Sequence, residues 1–334
     1  MKLTRRTALK SLAAATAALA TPALAQNKIT VQVNTTMKPG GSEEAGIARF
    51  KAALEELAPG RFEVVPFLSG QLGGENAVLE LLNIGETQIS LTGGNWRAQY
   101  APDYDPISIP FLFPNGAAVE AFMASDSGKA LQQRGIDQGG IVEMGAQMRA
   151  PRHMTSNKAI TTPDDLDGFR LRLPSIPVWV DVWSGLGAQT VVVPATEIYL
   201  AMQTGQVDGH ENSLVSPFSR KLYEVQSHLI MTGHVHFPWH WVASNSWFSG
   251  LSDEDQAVVR AAVEIARTEG TAVEAQKDVF YLEELKKKGM TVVEPDVAAF
   301  KAKAQPAIDN AMSSLADGVI EDVQNAIAAN SYPP

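Results

Sequence analysis

The chain has 334 residues, with 27 lysines and arginines against 37 aspartates and glutamates, and it contains no cysteine. The missing cysteines exclude disulfides, thiol catalysis and a lipid attached to an N-terminal cysteine. The acidic balance makes nucleic acid and anionic membranes poor partners, because both repel a negatively charged surface.

The first 25 residues have the features of an export signal. Four basic residues and no acid precede an alanine-rich apolar run, which ends in Ala23-Leu24-Ala25, a sequence typical of signal cleavage sites. The basic residues are Lys2, Arg5, Arg6 and Lys10. The arginine pair resembles the twin-arginine pattern, and the apolar run is too short to cross about 30 Å of hydrocarbon. We therefore expect cleavage after Ala25, which leaves 309 residues with a charge of −14, and a freely soluble periplasmic protein.

Short strands alternate with helices after the signal. Residues 29–33 alternate apolar and polar side chains as a strand does, and residues 42–57 carry apolar side chains at helical spacing. Gly60 ends this helix, and residues 62–67 predict the next strand. Such alternation predicts an α/β fold with an open, mostly parallel sheet and helices on both of its faces.

Two segments of the chain resemble each other. In residues 81–91, and again in residues 201–211, a helix ends at a glycine, Gly85 or Gly205, and a short strand follows at once. A mature chain of this length has room for two lobes of about 150 residues each. No linker of low complexity separates them, so we expect two similar lobes that are joined by several crossing segments.

The most informative strand is predicted just before Pro174. Apolar side chains at positions 169, 171 and 173 alternate with Arg170 and Arg172, so both arginines project from the face opposite the apolar one. An arginine at the carboxyl end of such a strand faces the crevice where open α/β sheets bind ligands. Its planar fork can hold a carboxylate through two parallel hydrogen bonds. The alternative is a solvated edge strand with two surface arginines.

Three histidines define a rival hypothesis. His234, His236 and His240 have a spacing that could ligate zinc, and Glu211 could act as a catalytic carboxylate. The protein would then be a zinc-dependent hydrolase. The favoured interpretation is that His236, His240 or Trp239 lines a binding cleft that uses no metal and no cofactor.

A long helix is predicted in the C-terminal third of the chain. Ser252 to Asp255 have the pattern of a capping box at the helix start. An apolar stripe then follows at helical spacing, and we expect it to be buried. The stripe consists of Val258, Ala261, Ala262 and Ile265.

Several stretches resemble the solute-binding proteins of tripartite ATP-independent periplasmic (TRAP) transporters, in the DctP family of dicarboxylate and sialic-acid binders. The stretches are RHMTSNKAITTPDDLDGFRLRLP (152–174), VVVPATEIYLAMQTGQVDGHEN (191–212) and KLYEVQSHLIMTGH (221–234). Weaker similarity begins at SGQLGGE (69–75) and covers essentially the whole mature chain. The resemblance implies a two-lobed periplasmic binding protein fold, no enzymatic activity, and the small and large TRAP membrane subunits as partners.

The resemblance also implies how the lobes are built and how they move. Residues 26–149 and 238–277 would form lobe I, and residues 150–237 and 278–334 would form lobe II. The long helix would cross between the lobes. A small organic acid anion would be captured by closure of the hinge, without any chemistry on the ligand.

By the same resemblance, a carboxylate-clamping arginine falls at Arg172, a second arginine at Arg152 and an amide at Asn212. Further candidates follow predicted strands or line the cleft through the histidine segment. These are Asn34, Gly93, Asn95, Trp96, His236 and Trp239.

These side chains favour a monocarboxylate sugar acid, such as a uronate or an aldonate. Arginine would bind the carboxylate, the amides would form hydrogen bonds with the hydroxyls, and a tryptophan would pack on the apolar face of the sugar. The alternative is a C4-dicarboxylate, for which Arg152 with Arg170 or Arg149 would supply a second cationic clamp. Sialic acid is disfavoured, because the sequence near Gly93 lacks an acidic side chain that sialic-acid binders have there.

Overall fold

A computed structural model describes residues 28–331 of the chain. The predicted export signal, residues 1–25, lies outside this part. Within the described residues, no helix combines the length and the apolar character that crossing a membrane requires.

Strands and helices alternate along most of the described chain. The strands are β1 (Ile29–Asn34), β2 (Phe62–Phe67), β3 (Ile89–Thr92), β4 (Ile141–Gln147), β5 (His153–Ser156), β6 (Arg170–Leu173), β7 (Gln189–Val192), β8 (Gly209–Asn212), β9 (His228–Ile230), β10 (Trp239–Ser244) and β11 (Thr291–Val293). The helices are α1 (Ser42–Leu57), α2 (Glu75–Asn83), α3 (Asn95–Tyr100), α4 (Gly116–Ala124), α5 (Asp126–Gly139), α6 (Pro177–Gly185), α7 (Ile198–Gln203), α8 (Val215–Ser219), α9 (Asn245–Ser249), α10 (Asp253–Lys287), α11 (Val297–Ser313) and α12 (Val319–Asn330).

The strands form two sheets with the same internal order. The first sheet runs β2-β1-β3-β10-β4, and the second runs β7-β6-β8-β5-β9-β11. In each sheet one strand, β10 or β5, is antiparallel to both of its neighbours, while the remaining strands share one direction. The two resembling segments occupy equivalent places, since β3 and β8 both follow a helix that ends at a glycine of positive φ. The predicted fold, with two open and mostly parallel sheets, is confirmed.

Three segments join the two sheets. The chain passes from β4 to β5 through residues 148–152 and returns from β9 to β10 through residues 231–238. These two segments lie side by side, because the Arg152 amide donates to the Val235 carbonyl at 3.1 Å and the His234 amide donates to the Arg152 carbonyl at 3.2 Å. The third connection is α10, which leads from the first sheet to β11 in the second. Two adjacent strand-like crossings and one helix therefore form the hinge region.

Helix α10 packs tightly against the first sheet. Ser252 caps it as predicted, with the Asp255 amide donating to Ser252 Oγ at 3.1 Å. A Cβ atom on Gly270 would lie 2.2 Å from Gln147 Oε1, so a glycine is needed for this close approach. The buried stripe is displaced by one residue from the predicted one, because the helix turns a neighbouring face with the same spacing toward α1 and β4. It consists of Val259, Ala262, Val263 and Ala266.

The last helix departs from the predicted lobes. Helix α12 packs on α4, and Asn115 Nδ2 donates to the Asn330 carbonyl at 2.9 Å. The Ser127 amide also donates to Asp322 Oδ2 at 3.0 Å. The predicted lobe II, which ends at residue 334, would separate α12 from these partners in lobe I. We therefore propose the predicted division into lobes with one change, in which residues 319–330 belong to lobe I.

Candidate binding cleft

A small cavity of about 30 Å³ lies between the two sheets, and both of them contribute to its lining. Its walls come from residues that follow β1 and β3 in the first sheet, from β6 and β8 in the second, and from both crossing segments. The carboxyl ends of parallel strands meet at this edge, which is where open α/β sheets bind ligands. Six predicted site residues line the cavity. They are Gly93, Asn95, Arg152, Arg172, Asn212 and Trp239.

Arg172 is one of the buried cations that line this cavity. It lies on β6 with only 2% of its surface exposed, between the core residues Leu171 and Leu173. Within residues 28–331 it makes one hydrogen bond, from Nε to the Val193 carbonyl oxygen at 2.8 Å, and no ion pair. Burial lowers the pKa of Arg172 to about 9. The rest of the guanidinium is therefore available to an anion that would offset the loss of hydration.

Arg152 is also buried, but a carboxylate already neutralises it. Its Nε donates to Glu211 Oε2 at 2.6 Å, and its Nη2 donates to Glu211 Oε1 at 2.9 Å. Glu211 is further held by His234, whose Nε2 lies 3.0 Å from the same Oε2. Burial raises the pKa of Glu211, but Arg152 and His234 outweigh this and bring it to about 2. This triad contributes little net charge to the cavity.

Arg149 and Arg170, the two candidates for an additional carboxylate clamp, are paired with acidic residues of the protein. Arg149 Nε lies 3.1 Å from Glu43 Oε1 and 3.8 Å from Glu274 Oε1, and its Nη1 donates to Asn212 Oδ1 at 3.5 Å. Arg149 thus connects α1 and α10 to a residue of the cavity wall. Arg170 pairs with Asp208 at the surface, with Nη2 2.6 Å from Oδ1. Neither of these arginines lines the cavity.

The first sheet contributes polar groups to the opposite wall. Glu75, at the start of α2, accepts a hydrogen bond from the Gly93 amide at 3.0 Å. The Nδ2 of Asn95 donates to Asn76 Oδ1 at 2.8 Å. Thr36 Oγ1 is buried and has no hydrogen-bond partner among residues 28–331. These carboxylate, amide and hydroxyl groups are suited to binding the hydroxyls of a ligand.

Aromatic residues form the apolar part of the wall. Trp179 and Phe237 pack edge to face with ring centroids 5.1 Å apart, and the Arg152 guanidinium lies 4.8 Å from the Trp179 centroid. Trp239 lies on the other side, 5.2 Å from the Arg149 guanidinium. The cavity therefore combines a cationic group, hydrogen-bonding groups and flat apolar surfaces.

A second, larger cavity of about 350 Å³ adjoins the first. It shares Glu75, Asn95 and Arg172 with the first cavity and opens between α2 and the segment before α7. A ligand anchored on Arg172 therefore has room to extend toward solvent.

Three predicted site residues do not line the cavity. Trp96 is fully buried in a core cluster with Leu79, Leu131 and Val242, so it cannot serve as a flat wall. Asn34 ends β1 just before the cavity, and its Oδ1 is buried without a partner among the described residues. His236 points elsewhere, toward the Pro114 backbone.

Comparison with known proteins identifies the family. The model for "Bacterial extracellular solute-binding protein, family 7" (DctP) matches residues 33–315. This chain belongs to that family. It is 32% identical over 307 residues to a solute-binding protein of Roseobacter denitrificans, covering 90% of this chain and 93% of the relative. It is 30% identical over 276 residues to a C4-dicarboxylate-binding periplasmic protein of Rhodobacter capsulatus, covering 80% of both chains.

The fold agrees with solved structures of TRAP periplasmic solute-binding proteins. One from Roseobacter denitrificans, with bound L-galactonate, has a TM-score of 0.84 and 27% identity, covering 90% of this chain and 98% of that chain. The protein is thus a TRAP solute-binding protein of the DctP family, a group of periplasmic transport proteins rather than enzymes.

The zinc-hydrolase hypothesis is therefore wrong, and the histidines show why their spacing misleads. His234 is bound by Glu211 and by Thr232, whose Oγ1 lies 2.8 Å from His234 Nδ1. His240 lies on β10, where Glu143 and Arg97 hold its two ring nitrogens. Among residues 28–331, no group of three or more His, Asp or Glu side chains could hold a metal ion.

Ten lining residues were not predicted as site residues from the sequence, and five of them are polar or aromatic. Two had a usable signal, since Glu75 ends the SGQLGGE stretch and Arg220 directly precedes the KLYEVQSH stretch. Glu75 places an acidic side chain 3.0 Å from the Gly93 amide, so the absence of an acidic residue next to Gly93 in the sequence does not disfavour sialic acid. The five residues are Thr36, Glu75, Trp179, Arg220 and Phe237.

Proposed function

We propose that this protein captures a monocarboxylate sugar acid, an aldonate or a uronate, in the periplasm and delivers it to the membrane subunits of a TRAP transporter. The observation that carries this proposal is Arg172, which is buried, borders the cavity and has no carboxylate partner among the described residues. A buried cation without a partner is costly unless an anion joins it. The ligand's carboxylate would supply that anion.

The charges around the cavity favour one carboxylate over two. Three arginines and one glutamate line the cavity, and Glu211 neutralises one of the arginines. Arg152, Arg172, Arg220, Glu75 and Glu211 together carry a net charge of +1, which a monoanion balances. A dianion would leave an excess negative charge in a poorly hydrated site, where charge interactions are strong.

The remaining wall is suited to a polyol. Thr36, Glu75, Asn95 and Asn212 offer donors and acceptors, and the aromatic side chains offer flat apolar surfaces. A relative of similar fold holds L-galactonate, a sugar acid with one carboxylate. The second cavity, of about 350 Å³, falls within the usual size range for small-ligand sites.

The hinge supports capture by closure. The cavity lies between the sheets, and the three segments that join the sheets include the two crossing segments that carry Arg152 and Phe237. Closing the lobes would bury the ligand, and the membrane subunits would recognise the closed form.

A thermal-shift panel on the purified mature protein tests the ligand class. Gluconate, L-galactonate, glucuronate and galacturonate form one arm, and succinate, malate and fumarate form the other. A ligand at 100 times its dissociation constant should stabilise the protein by about 2.7 kcal/mol. We expect shifts in the sugar-acid arm. Shifts confined to the dicarboxylate arm would replace the sugar acid with a C4-dicarboxylate, and shifts in neither arm would reject the proposal.

A further inference from the structure

We propose that Arg220 makes closure of the cleft depend on the presence of an anion. It is a second guanidinium in the same cavity as Arg172, supplied by the second-sheet side and bound to the backbone of the first-sheet side. This inference rests on the proposed function, because it assumes that the ligand is an anion bound at Arg172.

Arg220 spans the cleft. It follows α8, in the segment between β8 and β9, and only 6% of its surface is exposed. Its Nη2 donates to the Thr36 carbonyl oxygen at 3.1 Å and lies 3.8 Å from Met37 Sδ. Thr36 and Met37 lie in the loop that follows β1 in the first sheet. Arg220 therefore joins the two sides of the cleft in this structure.

The charge of Arg220 has no carboxylate partner within residues 28–331, and its Nε is buried without a hydrogen bond there. In this it differs from Arg149, Arg152 and Arg170, each of which lies against an aspartate or a glutamate. Burial lowers the pKa of Arg220 to about 10, although Glu75 acts in the opposite direction. Buried cations are normally paired, so an unpaired one in a ligand cavity indicates that the ligand completes the pair.

Two unpaired guanidiniums in one cavity oppose closure of the empty cleft. Arg172 and Arg220 line one cavity and repel each other, and the charge of Arg220 contributes to lowering the pKa of Arg172. Glu75 acts in the opposite direction on both arginines, but it offsets only one of the two charges. Closing the lobes also removes both cations from water. The hydrogen bond from Arg220 to Thr36 favours closure. One hydrogen bond nevertheless offsets only part of the free energy that a guanidinium loses when it is removed from water. A carboxylate between the arginines removes the repulsion, so an acid would close the cleft where a neutral polyol would not.

The chain offers a clean experiment, because it contains no cysteine. Cysteines at Glu80 on α2 and Gln203 on α7, both exposed, place spin labels on the two sides of the cleft. Pulsed electron paramagnetic resonance then gives the distances between the labels in the parent protein, Arg220→Met and Arg220→Lys. Each is measured without ligand, with L-galactonate and with the neutral polyol galactitol. Lys221→Met, the neighbouring exposed cation, is the matched control.

We expect Arg220→Met to increase the short-distance population at least threefold without ligand and to weaken L-galactonate binding at least tenfold. Arg220→Lys should keep the parent's ligand-free distances, and Lys221→Met should match the parent in both measurements. The inference is overturned if Arg220→Met has the parent's ligand-free distances, whatever the ligand is. A parent that binds no sugar acid in the thermal-shift panel rejects the proposed function instead, so the two failures are distinguishable.

Discussion

Replacement of Arg172 is the most direct test of the cleft chemistry. Arg172→Met keeps the length of the side chain but removes the charge and the fork. Since Arg172 is 2% exposed and borders the cavity, the ligand carboxylate would be left in a poorly hydrated site without its partner. Losing one member of such a pair costs about 2–5 kcal/mol, which is roughly 30-fold to several thousand-fold in affinity. Arg172→Lys should fall between Arg172→Met and the parent, because it keeps the charge but loses the fork.

The matched control lies two residues away on the same strand. Arg170 has a side chain that is 41% exposed and pairs with Asp208 at the surface. Exposed pairs are worth about 0–1 kcal/mol, so Arg170→Met should bind the ligand about as well as the parent. Titration calorimetry with the sugar acid that gives the largest thermal shift measures all four proteins. If Arg172→Met keeps its fold and binds within about threefold of the parent, the carboxylate-clamp assignment is wrong.

Two further predictions concern pH and stability. The free energy of unfolding should fall as the pH drops from about 4.5 toward 2, because Arg152 and His234 outweigh burial and lower the pKa of Glu211 from 4.5 to about 2, so the unfolded state takes up the proton first. Denaturant titrations across this pH range should show a smaller loss for Glu211→Gln than for the parent, and equal losses would contradict this role of Glu211. Glu211→Gln should lower the free energy of unfolding by about 3–5 kcal/mol, because it leaves Arg152 buried without its carboxylate. The control is Asp208→Asn, which breaks the exposed pair with Arg170 and should lower the free energy of unfolding by at most about 1 kcal/mol in the same denaturant titration. If both variants lose the same free energy of unfolding, burial does not make the Arg152–Glu211 pair more important.

Local sequence patterns determined much of the architecture. The strand at residues 62–67, the helix at 42–57 and the cap at Ser252 were predicted and are present. The two helix-glycine-strand segments predicted equivalent units, and the two sheets have the same internal strand order. These features follow from periodicity and backbone conformation within a few neighbouring residues, so the sequence is enough to find them.

The role of each arginine depends on the tertiary structure. Four arginines lie in or just before two neighbouring strands of the sequence, and by sequence alone they look alike. They are Arg149, Arg152, Arg170 and Arg172. Their partners come from distant segments: Glu43 and Glu274 neutralise Arg149, Glu211 neutralises Arg152, and Asp208 neutralises Arg170. Periodicity carries no information about these pairings. Arg172 and Arg220 are left unpaired among the described residues, so folding decides which cations remain for a ligand.

The positions of Trp96 and the histidines also depend on tertiary contacts that the sequence does not reveal. A residue that follows a strand can face the cleft or the core, and Trp96 packs in the core because α2, α5 and β10 surround it. His234 and His240 are six positions apart in sequence but bind Glu211 and Glu143 in different parts of the molecule. Sequence spacing determined which elements form and which residue types are near one another in the chain. Only the packing of the two sheets decided which side chains face the cavity, because that depends on contacts between segments far apart in the sequence.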